Sequence, residues 1–235
     1  MQLTIDRINE GIDSPRSTTY RYINTLCEKG LLEKTAPGVY QPGIQLLLLS
    51  TLALQQNTVG VVARPFMEEL ADQTRETILL TRRAGHRSVC VDRVEAQHGV
   101  RISFEIGQSQ PLHAGASSKI LLAYLPEGKQ AAYLSEPLES FTEHTVTDPD
   151  DLRQQLAQIR TNGYCVSQSE VDDGATSISV PIHDRKNAVL AALSLAGPSF
   201  RIDEAAIATY VDLLTSAAAE IEEQIATFGY PTPSP

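Results

Sequence analysis

Between Ser14 and Gln41 a helix pattern ends at Gly30 and is followed at once by two short strand patterns, an order that suits a small helix-plus-wing module. Ser14 is a good N-cap, and Pro15 suits the first helical position, where its missing N–H leaves no hydrogen bond unmade. A helix is therefore expected from there to about Lys29. Within it Thr19, Tyr22, Ile23 and Leu26 recur along one face, and Arg16, Ser17, Tyr20, Arg21 and Asn24 share the opposite face. Gly30 can take the left-handed conformation that stops a helix. Leu31 to Lys34 and Val39 to Gln41, joined through Thr35-Ala36-Pro37-Gly38, then read as a two-stranded hairpin, a small β-wing.

The polar face of this helix has the chemistry that nucleic acid requires. Arginine reads guanine edges bidentately or clamps a phosphate, while the short hydroxyls of Ser17 and Thr18, the Asn24 amide and the Tyr20 phenol donate to phosphate or base edges. Lys34, on the first wing strand, adds a further cation. The alternative is an ordinary amphipathic helix with a solvated polar face. Charge weighs on the choice: the chain is net −10, which argues against non-specific binding to nucleic acid. The acid is unevenly placed, however. Residues 1 to 60 hold five Lys/Arg against five Asp/Glu, and Ser14 to Gln41 holds four basic residues against two acidic. Screening removes charge effects beyond about 8 Å at physiological salt, so the local balance decides whether the helix can approach phosphate.

With 235 residues and 42% hydrophobic composition, the chain can hold this module plus one domain of roughly 170 residues with its own core. Cys27, Cys90 and Cys165 are odd in number and far apart, so neither a disulfide framework nor a CxxC zinc site is expected, and a reducing cytoplasm fits. No secretory signal is expected. The most apolar run, Leu46 to Leu54, is broken by Ser50 and Thr51 and is half the roughly 20 residues that span a bilayer, so no membrane partner is expected. The expected division is a DNA-binding domain over 1–42, a linker helix over 43–57, a larger second domain over 58–230 and a disordered tail over 231–235.

Ile44 to Gln56 reads as a helix apolar on nearly all sides, which must be covered by the wing module, the second domain or a second subunit; a dimer is expected. Thr58 to Thr74 reads as another helix, with Pro65 as a kink. Strands are expected at Thr77 to Arg82, Ser88 to Val94 and Val100 to Ile106, then helices at His113 to Leu125, Glu127 to Leu134 and Asp150 to Asn162. Further strands at Tyr164 to Gln168, Thr176 to His183 and Ala188 to Ala196 precede a long helix from Asp203, with Gly229 as its stop. Strands on both sides of a helical middle imply an α+β domain with a mainly antiparallel sheet flanked by helices.

Seven motifs in order then resemble one family. They are Ser17-Thr18-Thr19-Tyr20-Arg21, Val39-Tyr40-Gln41-Pro42-Gly43, Arg64-Pro65-Phe66-Met67-Glu68-Glu69-Leu70-Ala71, Val91-Asp92-Arg93-Val94-Glu95, Pro111-Leu112-His113-Ala114 with Lys119, Ile159-Arg160-Thr161-Asn162-Gly163-Tyr164, and Ala191-Ala192-Leu193-Ser194-Leu195-Ala196-Gly197-Pro198. The chain resembles the IclR-type transcriptional regulators over about residues 3 to 230. The resemblance implies a winged helix-turn-helix, a linker helix and a GAF-like effector domain, acting as a dimer or tetramer on a palindromic operator. A repressor whose DNA affinity responds to a small metabolite, often a carboxylate, is the implied function. Such regulators carry a complete helix ahead of the segment Leu3 to Asn9, so the module is expected to be incomplete at its N-terminus, leaving Leu3, Ile5, Ile8 and Leu26 uncovered.

The effector seat has a physical basis. Leu112 to Lys119 opens a helix after a loop, with His113, Ala116, Ser117 and Ser118 placed where a ligand reaches free backbone N–H groups at the positive end of the helix dipole. Two such donors at about 1.5–3 kcal/mol each, plus up to about 2 kcal/mol from the dipole, outweigh screened repulsion from a net-acidic body. The resemblance places the facing wall on the strands after Gly163, which offer Ser167, Ser177 and Ser194, with Phe104 as an apolar lid. Thr176-Ser177 stands where relatives often carry an Arg-Cys pair, and Ala196 where they often carry a second serine. Catalysis is not expected: Ser117, His113 and Asp172 can be drawn as a triad, but no nucleophile elbow supports it. Nor is a metal or other cofactor expected, since His86, Cys90 and His98 lack ligand spacing. The alternative function is a GAF-like small-molecule sensor acting through protein contacts without DNA binding.

Overall fold

In the computed structural model, which describes residues 3–12, 14–55, 58–95, 98, 102 and 104–228, the chain divides between Asn57 and Thr58 into two compact units. The first runs β1 (Leu3–Thr4), α1 (Ile5–Ile12), α2 (Arg16–Glu28), β2 (Leu32–Ala36), β3 (Val39–Pro42) and α3 (Ile44–Gln55). The turn out of α2 depends on Gly30, which adopts φ +68° while its N–H donates to the Cys27 carbonyl at 2.9 Å. Gly43 packs so tightly against that turn that a Cβ there would lie 2.0 Å from the Gly30 carbonyl oxygen. The helix start differs from expectation. Pro15, with ψ 139°, occupies the cap position and accepts from the Thr18 and Thr19 N–H groups, whereas the Ser14 hydroxyl turns back to the Ile12 carbonyl and caps nothing.

β1 joins the hairpin as a third strand, in the order β1-β3-β2, with Leu3 opposite Tyr40. This pairing corrects the expectation that Ile5 would lie uncovered. Ile5, Ile23 and Tyr40 are buried together, with Leu3 and Ile8 packed at their edge. Leu26 is exposed, as expected, but so is Tyr22, which narrows the buried stripe of α2 to Thr19 and Ile23. Thr19 Oγ1 donates to Asn9 Oδ1 at 2.6 Å and ties α1 to α2. Along α3, Ile44, Leu46, Leu47, Leu48, Leu49 and Leu52 are all exposed, Leu47 and Leu48 by more than 60%.

The second unit follows as α4 (Thr58–Thr74), β4 (Thr77–Ala84), β5 (Arg87–Val94), β6 (Ser109–Pro111), α5 (Ala116–Ala123), α6 (Glu127–Leu134), α7 (Pro149–Asn162), β7 (Cys165–Gln168), β8 (Ala175–His183), β9 (Val189–Pro198) and α8 (Glu204–Phe228). It has the α+β architecture expected from the sequence: six antiparallel strands in the order β6-β5-β4-β9-β8-β7, with helices on both faces. Among the described residues, the third strand of this unit is Ser109–Pro111. Of the strand expected over 100–106, residues 100, 101 and 103 lie outside the described residues, and 104–106 lead into a turn. The expected stop at Gly229 and the tail also lie outside them.

The two-residue period of the strands sorts the faces. Ile178, Val180 and Ile182 of β8 and Ala191, Leu193 and Leu195 of β9 pack with Met67 of α4 and Leu214, Ile221 and Ile225 of α8. On the other face Ala192 and Cys165 pack with Ile120 of α5 and Leu152, Leu156 and Ile159 of α7. Asp148 caps α7 by accepting from the Asp150 and Asp151 N–H groups, and Gly163 closes it in the left-handed conformation. Leu80 is fully buried in the first of these cores. Leu80→Ala is therefore expected to lower the stability of this unit by about 2–5 kcal/mol, read as a lower urea midpoint by far-UV circular dichroism.

Candidate functional site

The first unit presents its candidate DNA-contact residues on one exposed surface. Arg16, Ser17, Tyr20, Arg21 and Asn24 of α2 are exposed, Thr18 is half-buried, and Lys34 is exposed on β2. Arg16 is not idle: its Nη2 lies 2.6 Å from Asp6 Oδ1 on α1, with both side chains more than 60% exposed. A pair this exposed contributes at most about 1 kcal/mol, so a phosphate can replace the carboxylate.

In the second unit a cavity of about 310 Å³ opens between the start of α5, the β7–β8–β9 end of the sheet and the segment before β6. Six sequence-predicted residues line it together: Phe104, Ala116, Ser117, Ser167, Ser177 and Ser194. Gly115 makes the approach possible. It holds φ +83°, and a Cβ would meet Gln110 Nε2 at 2.8 Å. Ala116 N–H donates to Ser177 Oγ at 3.4 Å, and Lys119 N–H makes the first bond of the helical ladder, to the Gly115 carbonyl. The Ser117 and Ser118 N–H groups thus have no partner within the helix, as the first turn of any helix dictates. Among the described residues the Ser117 and Ser167 hydroxyls also have no hydrogen-bond partner, whereas Ser194 donates to Ser179 Oγ at 2.8 Å. Leu79, Ile102, Phe141 and Ala196 supply apolar wall.

Sequence reasoning missed two charged parts of this wall. Arg87 lines it with its guanidinium steadied by Ser109, Nε to Oγ and Nη2 to the carbonyl, both at 3.0 Å. Glu170 sits beneath the α5 terminus, where Oε2 accepts from Gly115 N–H at 3.2 Å and Oε1 pairs with the buried Lys119 ammonium. The protein's own carboxylate therefore already engages one donor of the helix start, and Lys119 neutralises it. Neither contact had a signal in the sequence, since Glu170 is 55 residues from Gly115. Burial pushes the nearby Cys165 thiol up to about 12 and the Cys90 thiol, under Leu79 and Ala196, up to about 11, so neither forms a thiolate readily.

Two predicted residues lie outside the cavity wall and have partners of their own. His113 is buried, with Nδ1 2.9 Å from Tyr133 Oη and Nε2 2.8 Å from the Glu139 carbonyl. Ser118 Oγ lies 2.7 Å from both Ser88 Oγ and Gln110 Nε2. Both ring nitrogens of His113 are thus engaged by groups other than Ser117 and Asp172. No group of three metal-ligating side chains occurs among the described residues.

Residues 51–223 match the IclR C-terminal family of bacterial transcriptional regulators, and residues 2–36 match the IclR helix-turn-helix domain. The chain is 31% identical to the HTH-type transcriptional regulator KipR of Bacillus subtilis, over 95% of its length and 90% of that protein. It is 27% identical to the transcriptional repressor IclR of Escherichia coli, over 88% of its length and 77% of the relative. A crystal structure of an IclR homologue from Microbacterium hydrocarbonoxydans, complexed with 4-hydroxybenzoate, superposes with a TM-score of 0.73 at 28% identity, covering 95% of this chain and 91% of that one. Among the described residues no helix is long and apolar enough to cross a membrane.

Both side chains of the Lys119–Glu170 pair are less than one-tenth exposed. Lys119→Met, which leaves a buried carboxylate unpaired, should cost about 3–5 kcal/mol in urea denaturation. Lys119→Met combined with Glu170→Gln should recover most of that loss; a double variant no better than the single would contradict the pairing.

Proposed function

The chain belongs to the IclR family of DNA-binding transcriptional regulators, and from that premise we propose that it is a repressor whose second unit seats a small carboxylate at the start of α5. The observation that carries this reading is the cavity itself: it is lined by Ser117, whose N–H and hydroxyl are unpartnered, by the unpartnered Ser167 hydroxyl and by the Arg87 cation, with the unpartnered Ser118 N–H adjacent but outside the lining; of its carboxylates, Glu170 is already paired with Lys119, and Asp172 is the other. A carboxylate takes the N–H groups and draws on the dipole of α5, a hydroxyl or keto oxygen meets the serines, and the rest of a small ligand rests on Phe104 and Leu79. The bound hydroxybenzoate of the Microbacterium relative has this chemistry, a carboxylate on an apolar body. A sensor without DNA binding is not favoured, because residues 2–36 match the IclR helix-turn-helix domain.

The active species in this reading is a dimer or a tetramer. The exposed leucines of α3 would destabilise a lone chain in water, and a second copy covers them at no cost in new chemistry. Two recognition helices then enter successive major grooves about 34 Å apart on a palindromic operator, with Arg16, Arg21 and Lys34 on phosphate or guanine edges and Ser17, Thr18, Tyr20 and Asn24 beside them. Effector and operator are linked. Whatever spacing of the two helices the carboxylate favours alters operator affinity, typically by five- to about 150-fold, and the operator alters carboxylate affinity by the same factor.

Arg21→Ala should weaken binding to the upstream promoter fragment about tenfold or more in fluorescence anisotropy and leave carboxylate affinity in calorimetry unchanged. Ala116→Phe, which fills the seat, should do the reverse. Normal binding of both partners by both variants would overturn these assignments.

A further inference from the structure

We propose that the second unit carries a second ligand site, separate from the cavity at the start of α5, that takes a small aryl carboxylate. A cavity of about 290 Å³ lies between the β4–β5 turn and α6, with Leu112, Leu125, Ala132 and the Tyr133 ring as walls and Arg83, His86 and Lys129 at its rim. It shares no lining residue with the first cavity. In a chain with 29 acidic residues against 19 Lys and Arg, three basic side chains meet here and no carboxylate lines the space. Glu136, which adds to the upward shift that burial gives the Tyr133 phenol, stands outside the lining.

The floor is built rather than incidental. Leu112 and Tyr133 are buried, and the Tyr133 hydroxyl accepts from Leu112 N–H at 2.9 Å and meets His113 Nδ1 at 2.9 Å, so the phenol ring cannot swing. The His86 imidazole lies alongside, 6.0 Å from it between centroids and 16° from parallel, which extends the aromatic wall to the rim. Arg83 is held over the opening by a 3.0 Å bond from Nη1 to the Gly85 carbonyl and keeps its other donors for a ligand. Lys129 makes no ion pair among the described residues. A flat apolar wall under a cationic rim fits a planar ring bearing one carboxylate: the ring lies along Tyr133 and the carboxylate reaches Arg83 and Lys129.

The probe is benzoate, titrated into Ala116→Phe protein so that the first cavity is closed. Saturable binding that Lys129→Glu weakens about tenfold or more, and that Ala132→Trp abolishes, is expected. In the unsubstituted protein the ring protons of His86 and Tyr133 should shift with dose, which keeps the test valid if a variant fails to fold. No benzoate binding at millimolar concentration, or binding lost in Ala116→Phe and indifferent to Lys129→Glu, overturns the proposal. Because the first cavity is blocked in the variant titrations and the NMR shifts are read at residues that line only the second cavity, the outcome is independent of whether the first cavity is the effector seat.

Discussion

All eight residues of α5 are buried, including Ser117, Ser118 and the charged Lys119, and most of the second unit's arrangement answers to that burial. A helix enclosed on every side cannot leave an ammonium unpaired, so Glu170 must sit beside Lys119, and its second oxygen reaches the Gly115 N–H. The start of the helix borders the cavity at Gly115, Ala116 and Ser117. In the seat we propose, a carboxylate meets the Ser117 N–H at the positive end of the helix dipole. Ser177 and Ser194 reach that space because they occupy the strand positions that alternate with Ile178 and Leu195, which pack on the opposite face against α4 and α8.

The first unit obeys a different constraint. It is small, so a few contacts decide its shape: the Ile5–Ile23–Tyr40 cluster, the Thr19–Asn9 bond and the close approach of Gly43 to Gly30. These fix α2 against the wing and leave its polar residues to solvent. Its balanced local charge contrasts with the acid of the rest of the chain, so a polyanion is repelled less here than elsewhere on the chain.

Much of this was legible in the residues. Asp148 before Pro149 and Gly163 after Asn162 marked both ends of α7, and two-residue alternation located β8 and β9 within a residue or two. What escaped was set by distance along the chain or by competition for a partner. Glu170 and Arg87 enter the cavity wall through tertiary pairing that no local pattern encodes. His113 has the chemistry of a ligand contact, yet Tyr133 and the Glu139 carbonyl, 20 and 26 residues away, claim both of its nitrogens. Ser14 has the chemistry of a cap, yet its hydroxyl bonds back to Ile12 and the extended Pro15 takes the cap position. Of the strand expected at Val100 to Ile106, the described residues 104–106 lead into a turn, and Ser109–Pro111 pairs with the start of β5.

The seat at the start of α5 is tested most directly by following backbone amide shifts in solution NMR while a small carboxylate is added to the chain. The largest dose-dependent changes should fall on the amides of Ser117 and Ser118, with smaller ones on Ala116 and Ser177. Saturable binding that leaves those amides unmoved would contradict the account.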